Sequence, residues 1–324
     1  EENKMKKRIA LITSIVMIFT LCLGLAGCSK KPNDSAEYAI ILKNLSNDFW
    51  ATMKKGIETE AEKLGIKVDI YAAQSEDDTE GQLKILENCL NKNYKAIGVA
   101  PLSPVNLISG VVKANQKGIY VMNIDEKIDL STLKAQGGSV IAFATTDNVK
   151  VGEKGASYIV DRLTDGGKVA IIEGKAGNAS GEARKEGATN IFKANSKFQL
   201  VASQPADWDR QKALDVATTY IQKYPDLKAI YCCNDTMALG AVQAVKNANM
   251  IGKIVVVGTD GAAEALTSIK AGELDATVAQ NSAEIGATSL RAMVDAVKNQ
   301  IKIDANTEPK TIPVDSYIVN KDSK

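Results

Sequence analysis

From Tyr38 onward the sequence alternates between short apolar runs and longer amphipathic ones. That alternation restricts the fold more than any other feature. Strand-length apolar runs fall at 38–43, 67–72, 96–100 and 119–124. Helix spacing fills 47–64, 78–91 and 104–117 between them; in the first, Trp50, Met53, Ile57, Ala61 and Leu64 recur at three and four residues. Gly65 and Gly118 follow as helix-ending signals. A second series begins after Gly137-Gly138. Its strands are predicted over 140–145, 169–173, 199–204, 229–233, 254–257 and 276–279. Its helices are predicted over 148–163, with Asp147 as N-cap, and over 179–195, 209–224, 236–248, 262–271 and 283–299. A β-like end at 316–320 closes the chain. Such alternation implies parallel sheets with right-handed crossovers. Runs like Ile254-Val255-Val256-Val257 suit strands buried on both faces. Two series are too many for one compact sheet, so the predicted fold is α/β with two doubly wound parallel-sheet lobes.

Composition narrows function more than fold. The 324 residues balance 40 Lys and Arg against 39 Asp and Glu, a net charge of +1. With no basic tail or basic-aromatic stripe, nucleic acid is not an expected partner. There is no histidine. Ser-His-Asp and Cys-His nucleophiles and HExxH zinc sites are therefore excluded. The chain also lacks a Walker-type phosphate loop, GxGxxG, GxSxG and an EF-hand loop. No enzyme, cofactor or metal is expected. Cys89, Cys232 and Cys233 have no CxxC spacing and read as buried thiols.

The N-terminal stretch reads as an export signal. Met5-Lys6-Lys7-Arg8 is a positive head, with Glu1 to Lys4 lying ahead of the start, and 9–24 is apolar. That run is short for a membrane span, which needs about 20 residues. Leu25-Ala26-Gly27-Cys28 resembles a bacterial lipobox. It implies a signal peptide over 1–27, lipidation at Cys28 and a polar tether over 28–35. The mature protein is then expected outside the cell membrane, or in the periplasm, touching the membrane only through its lipid.

In doubly wound sheets, ligands lie beyond the carboxyl ends of the strands. The residues just after the predicted strands are Lys43 and Asn47, Asp125 and Glu126, Asp147 and Asn148, Asn178 and Arg184, Asp207 to Arg210, Asn234 and Asp235, Asp260, and Gln280 and Asn281. Asp147 and Asp235 are first of all helix caps. Taken together the set matches a polyol, whose hydroxyls both donate and accept. A sugar ring also has apolar C–H faces that pack on aromatic planes. Phe49, Trp50 and Trp208 supply candidates; Trp50 also lies on the apolar face of its helix, whereas Trp208 sits among charges.

These residues carry a resemblance. Ser46-Asn47 with Phe49-Trp50, Thr145-Thr146-Asp147-Asn148, the run from Ala202 to Arg210, the run from Asn234 to Gly240, Val257-Gly258-Thr259-Asp260-Gly261 and Ala279-Gln280-Asn281 occur in order at domain-scale spacing. In this the chain resembles the ribose-type periplasmic sugar-binding proteins, the solute receptors of ABC importers, over nearly all of 38–320. Lys43, paired tryptophans at 50 and 208, and the run from Glu173 to Arg184 are most similar to the D-allose-binding branch. Asp48 departs from the proline common there, though an acid also suits a helix start. The resemblance implies ligand contacts from Lys43, Asn47, Phe49, Trp50, Asp125, Asn178, Arg184, Trp208, Asn234, Asp260 and Gln280, with Glu126 and Asn148 as weaker members. It implies lobes over 36–145 plus 281–314 and 146–280 plus 315–324, joined by a three-segment hinge. It implies a monomer that closes on a monosaccharide and is read by a permease. A sensory protein presenting sugar to a chemoreceptor or kinase fits the same residues.

Overall fold

The computed structural model describes residues 35–323. The predicted signal peptide, Cys28 and the tether up to residue 34 lie outside them.

Strand β1 (Tyr38–Leu42) is an interior strand of the first sheet. Its alternation sends Tyr38, Ile40 and Leu42 into one apolar cluster and Ala39 and Ile41 into another, one on each face. Around it lie β2 (Val68–Ala72), β3 (Ala96–Val99), β4 (Tyr120–Ile124), β5 (Ala142–Thr145) and, from far along the chain, β11 (Lys310–Pro313). Their order is β2-β1-β3-β4-β5-β11, and every pairing is parallel. Helices α1 (Asp48–Leu64) and α10 (Ser282–Asn299) cover one face; α2 (Thr79–Cys89) and α3 (Ile108–Gln116) cover the other.

The second sheet repeats the plan. It contains β6 (Gly167–Glu173), β7 (Phe198–Pro205), β8 (Leu227–Cys232), β9 (Val255–Asp260), β10 (Ala276–Gln280) and β12 (Ser316–Asn320), in the order β7-β6-β8-β9-β10-β12. Its helices are α5 (Asn148–Arg162), α6 (Ala179–Ala194), α7 (Arg210–Lys223), α8 (Asp235–Asn247) and α9 (Ala263–Ala271). Strand order reverses beside β1 and again beside β6, so each lobe has its own switch point. The chain passes between the sheets after Thr145, after Gln280 and between Pro313 and Ser316.

Helix ends follow local chemistry. Asn47 caps α1 by accepting from the Phe49 amide at 2.9 Å. Gly65 ends it in a left-handed turn, φ 64°, with its N–H on the carbonyls of Ala61 and Glu62. Asp147 caps α5 through the Lys150 amide. Three expectations fail for physical reasons. Helix α3 starts at Ile108 rather than 104, because Ser103 and Asn106 exchange side-chain bonds with each other's backbone amides and hold a turn. Strand β12 runs antiparallel to β10, since it closes the sheet from a short return crossing. Asp235 is not a cap: Asn234 caps α8, and Asp235 accepts from the amides of Gly261 and Ala262 and from the Thr277 hydroxyl. Strand β11 and the short helix α4 (Leu130–Ala135) carry no periodicity strong enough to predict them.

Cys89, Cys232 and Cys233 are buried and unpaired. Burial pushes the Cys89 thiol up to about 11 and the Cys233 thiol up to about 12, so neither supplies a thiolate at neutral pH.

Helices α5 and α6 meet backbone to backbone. A Cβ on Gly152 would stand 2.0 Å from the Arg184 carbonyl oxygen, and one on Gly187 would stand 2.1 Å from that of Val149. The seating of α6, and with it the Arg184 side chain, depends on these two glycines. Gly152→Ala is expected to force the helices apart, destabilising the protein by about 1–3 kcal/mol. Thermal unfolding measures this; an unchanged Tm would mean the helices separate freely.

Candidate ligand-binding site

The carboxyl ends of both sheets face one cavity of about 350 Å³ of interatomic space, part of it open to solvent. Lys43 enters just past β1, Asn47, Phe49 and Trp50 at the start of α1, Glu76 beyond β2 and Asp125 past β4. From the other lobe come Ser180 and Arg184 on the first turns of α6, Trp208 beyond β7, Asn234 past β8 and Asp260 at the end of β9.

Aromatic faces frame the cavity. Phe49 and Trp50 meet edge to face, centroids 5.0 Å apart. Trp50 is also core, 4% exposed and packed with Met53 and Ile57, so one side chain both lines the cavity and fills the lobe interior. Trp208 stands opposite, beside the Arg184 guanidinium at 5.9 Å. Its indole donates to Asn178 at 3.0 Å. The ring lies over Gly174 and Gly181, where an added Cβ would come within 2.0 Å and 3.0 Å of it.

Two cations and several carboxylates share this space. Lys43, 3% exposed, donates to Glu126 at 3.1 Å and lies 4.0 Å from Glu76. Burial pulls its pKa down, yet Glu126, Glu76 and Asp125 hold it above the ordinary value. Arg184 donates to Asn148 and to the Cys233 carbonyl, both at 2.8 Å, and stands 3.6 Å from Asp260. Burial opposes its charge too, and Asp260, Tyr231 and Asp125 more than offset this. Asp125 is pushed up to about 7, first by burial and then by Glu126 and Asp260, against the pull of Arg184 and Lys43. Burial lifts Asp260 to about 6, against Arg184 and Gln280. One Asp125 oxygen, one Glu76 oxygen and the Gln280 amide oxygen are buried without a hydrogen-bond partner among the described residues. Such acceptors are costly unless a donor arrives.

Backbone strain gathers here as well. Among the described residues, Asp125, Asp207, Trp208 and Asp260 are four of the six non-glycines with positive φ. Strain of this kind persists where the surroundings hold a side chain in a set direction.

Of the residues singled out in the sequence, Lys43, Asn47, Phe49, Trp50, Asp125, Arg184, Trp208, Asn234 and Asp260 line the cavity. Glu126, Asn148, Asn178 and Gln280 do not. Each instead bonds to a residue that does: Glu126 to Lys43, Asn148 to Arg184, Asn178 to Trp208, and Gln280 to Asp260 at 2.7 Å. They orient the lining side chains. Glu76 and Ser180 line the cavity without having been expected there. Glu76 sits in the run Gln74-Ser75-Glu76-Asp77-Asp78, which looks like a solvated turn, and Ser180 looks like an ordinary first-turn helix residue. No local pattern marks either.

The lobes touch directly. Ser180 donates its amide and hydroxyl to Glu126 at 3.3 and 2.8 Å. Asn178 donates to the Leu102 carbonyl at 2.9 Å. Lys175 reaches the Glu76 carbonyl at 2.7 Å and pairs with Asp77.

A model of the periplasmic binding protein domain matches residues 38–301. The chain belongs to that family. It is 60% identical over 288 residues to the D-allose-binding periplasmic protein of Escherichia coli K12, covering 89% of this chain and 93% of that one. It is 38% identical over 298 residues to the ribose import binding protein RbsB of Bacillus subtilis, covering 90% and 93%. Among solved structures it is similar to an ABC transporter periplasmic solute-binding protein from Actinobacillus succinogenes 130z with bound D-allose. The TM-score is 0.83 and identity 32%, covering 89% of this chain and 98% of that one. For a periplasmic binding protein, orphaned acceptors lining a two-sided cavity are the groups a polar ligand would satisfy.

Asp125 and Asp260 hold protons more tightly in this fold than in the unfolded chain. Their effect on stability is absent below the unfolded carboxyl range, grows unfavourable as pH rises above it, and is complete once pH has passed about 6 to 7. Asp125→Asn is expected to raise the Tm of the ligand-free protein at about pH 8 and to change it little at about pH 4. Melting curves across that range check the sign.

Proposed function

We propose that this chain is the exported receptor of an ABC sugar importer and binds D-allose, or a close epimer, between its lobes. What carries the proposal is the cavity lining, in a chain so similar to a protein named for D-allose. Aromatic planes stand on both sides of a ring of carboxylates, amides, Lys43 and Arg184. Sugar hydroxyls supply the donors that Asp125 and Glu76 lack, and C–H faces pack on Trp50 and Trp208. Lys43 adds a long donor suited to a six-carbon ring.

The proposed mechanism is closure. The lobes are 36–145 plus 281–314 and 146–280 plus 315–324, and the three crossings bend as a hinge. Ligand contacts made with both lobes at once exist only in the closed form and so favour it. Hinge closure around a ligand is the general motion of periplasmic binding proteins. A permease then reads the closed shape. The protein acts as a monomer, converts nothing, and is held at the membrane through a lipid on Cys28.

Calorimetry on the mature protein is expected to give one-to-one binding of D-allose and weaker binding of ribose; no heat with any monosaccharide would overturn the proposal. Trp208→Ala is expected to weaken binding about tenfold or more, ~1.4 kcal/mol. Its Tm without sugar is expected to fall somewhat, since the ring also packs on Gly174 and Gly181, while the protein still folds. Unchanged affinity would remove Trp208 from the site.

A further inference from the structure

We infer that Glu76 is a specificity-determining residue of this cleft: together with the Lys43 ammonium, its Oε2 reads one hydroxyl of the bound sugar. The inference rests on the sugar-binding function proposed above and assigns to it a residue that no sequence motif marks.

The Glu76 carboxylate is fixed at one end. Its Oε1 accepts from the Asn44 side-chain amide at 2.9 Å. Glu76 lines the cavity, and its Oε2 is buried and takes no hydrogen bond from any described residue. The Lys43 ammonium stands 4.0 Å away, beyond hydrogen-bond reach. That ammonium has three N–H groups, and one of them is on Glu126. The gap therefore has a cation that must donate on one side and an anion that must accept on the other. A hydroxyl set beside this pair serves both with a single oxygen, accepting from Lys43 and donating to Glu76. Burial raises the pKa of Glu76, against Lys43 and Lys175, so the carboxylate is held there at a cost that a donor would relieve.

Closure and this contact are joined in one residue. Lys175, from the opposite lobe, donates to the Glu76 backbone carbonyl at 2.7 Å and pairs with the neighbouring Asp77. The loop that presents the carboxylate is thus pinned by the lobe facing it. Glu76 is in place to read the hydroxyl when the lobes are shut.

The test is a cycle of protein variants against sugar variants. D-allose and each of its monodeoxy derivatives are titrated by calorimetry into the unaltered protein, Glu76→Ala and Glu76→Gln. Tm values are taken first; if Glu76→Ala does not fold, Glu76→Gln carries the cycle. Glu76→Ala is expected to weaken D-allose binding about ten- to hundredfold. One monodeoxy derivative should lose a comparable factor on the unaltered protein and little more on the variant; the others should lose the same factor on both. Binding of D-allose to Glu76→Ala within about twofold of the unaltered protein would overturn the assignment, as would equal losses for every derivative on both proteins. Lys175→Ala keeps the carboxylate but frees its loop, and is expected to weaken all the sugars by one common factor. A loss confined to one derivative would place the reading on Lys175 instead. An unaltered protein that binds no monosaccharide would overturn both this inference and the function beneath it.

Discussion

The structure depends on a charge problem between its lobes. Glu126 is wholly buried, and it accepts from Lys43 on its own lobe and from Ser180 on the other. An uncompensated buried carboxylate is far costlier than a paired one. Separating the lobes would exchange the Ser180 donors for water, so while the lobes touch it is Lys43 and Ser180 that must satisfy this charge. The same logic holds at Arg184, whose guanidinium is spread over Asn148, the Cys233 carbonyl and Asp260.

Around that constraint the site has two layers. The side chains facing the cavity carry unmet hydrogen-bonding capacity, at Asp125 and Glu76 above all. Those behind them are largely committed: Glu126, Asn148 and Asn178 each hold a lining residue in one orientation. Pre-set polar groups lose less entropy when a ligand arrives than groups that must first be ordered. The positive-φ residues Asp125, Trp208 and Asp260 fit the same pattern, since each needs its neighbours to hold it in an uncommon backbone conformation.

The cavity also explains why residue type alone misleads here. Asn178 looks like a ligand amide in the sequence, and in the structure its amide also joins the lobes to the aromatic wall, donating to Leu102 and accepting from Trp208. Asp235 looks like a cap and instead fixes the turn that carries Asp260. Glu76 looks like part of a solvated acidic turn and faces the cavity. In each case the deciding fact is a neighbour far away in sequence, such as Leu102 for Asn178 or Lys43 for Glu76.

What the sequence determined was the alternation of strand and helix, and therefore two parallel sheets with polar residues gathered at their carboxyl ends. Local periodicity and caps are enough for that, because side-chain direction follows from 2.0 and 3.6 residues per repeat. It also marked the aromatic pair and the two cations that line the cavity. Only tertiary structure decided which polar residues face the ligand space and which stand behind it. It also decided that β11 joins the first sheet and β12 the second. Those outcomes depend on long-range packing and on which buried charges find partners across the cleft, and neither leaves a periodic trace along the chain.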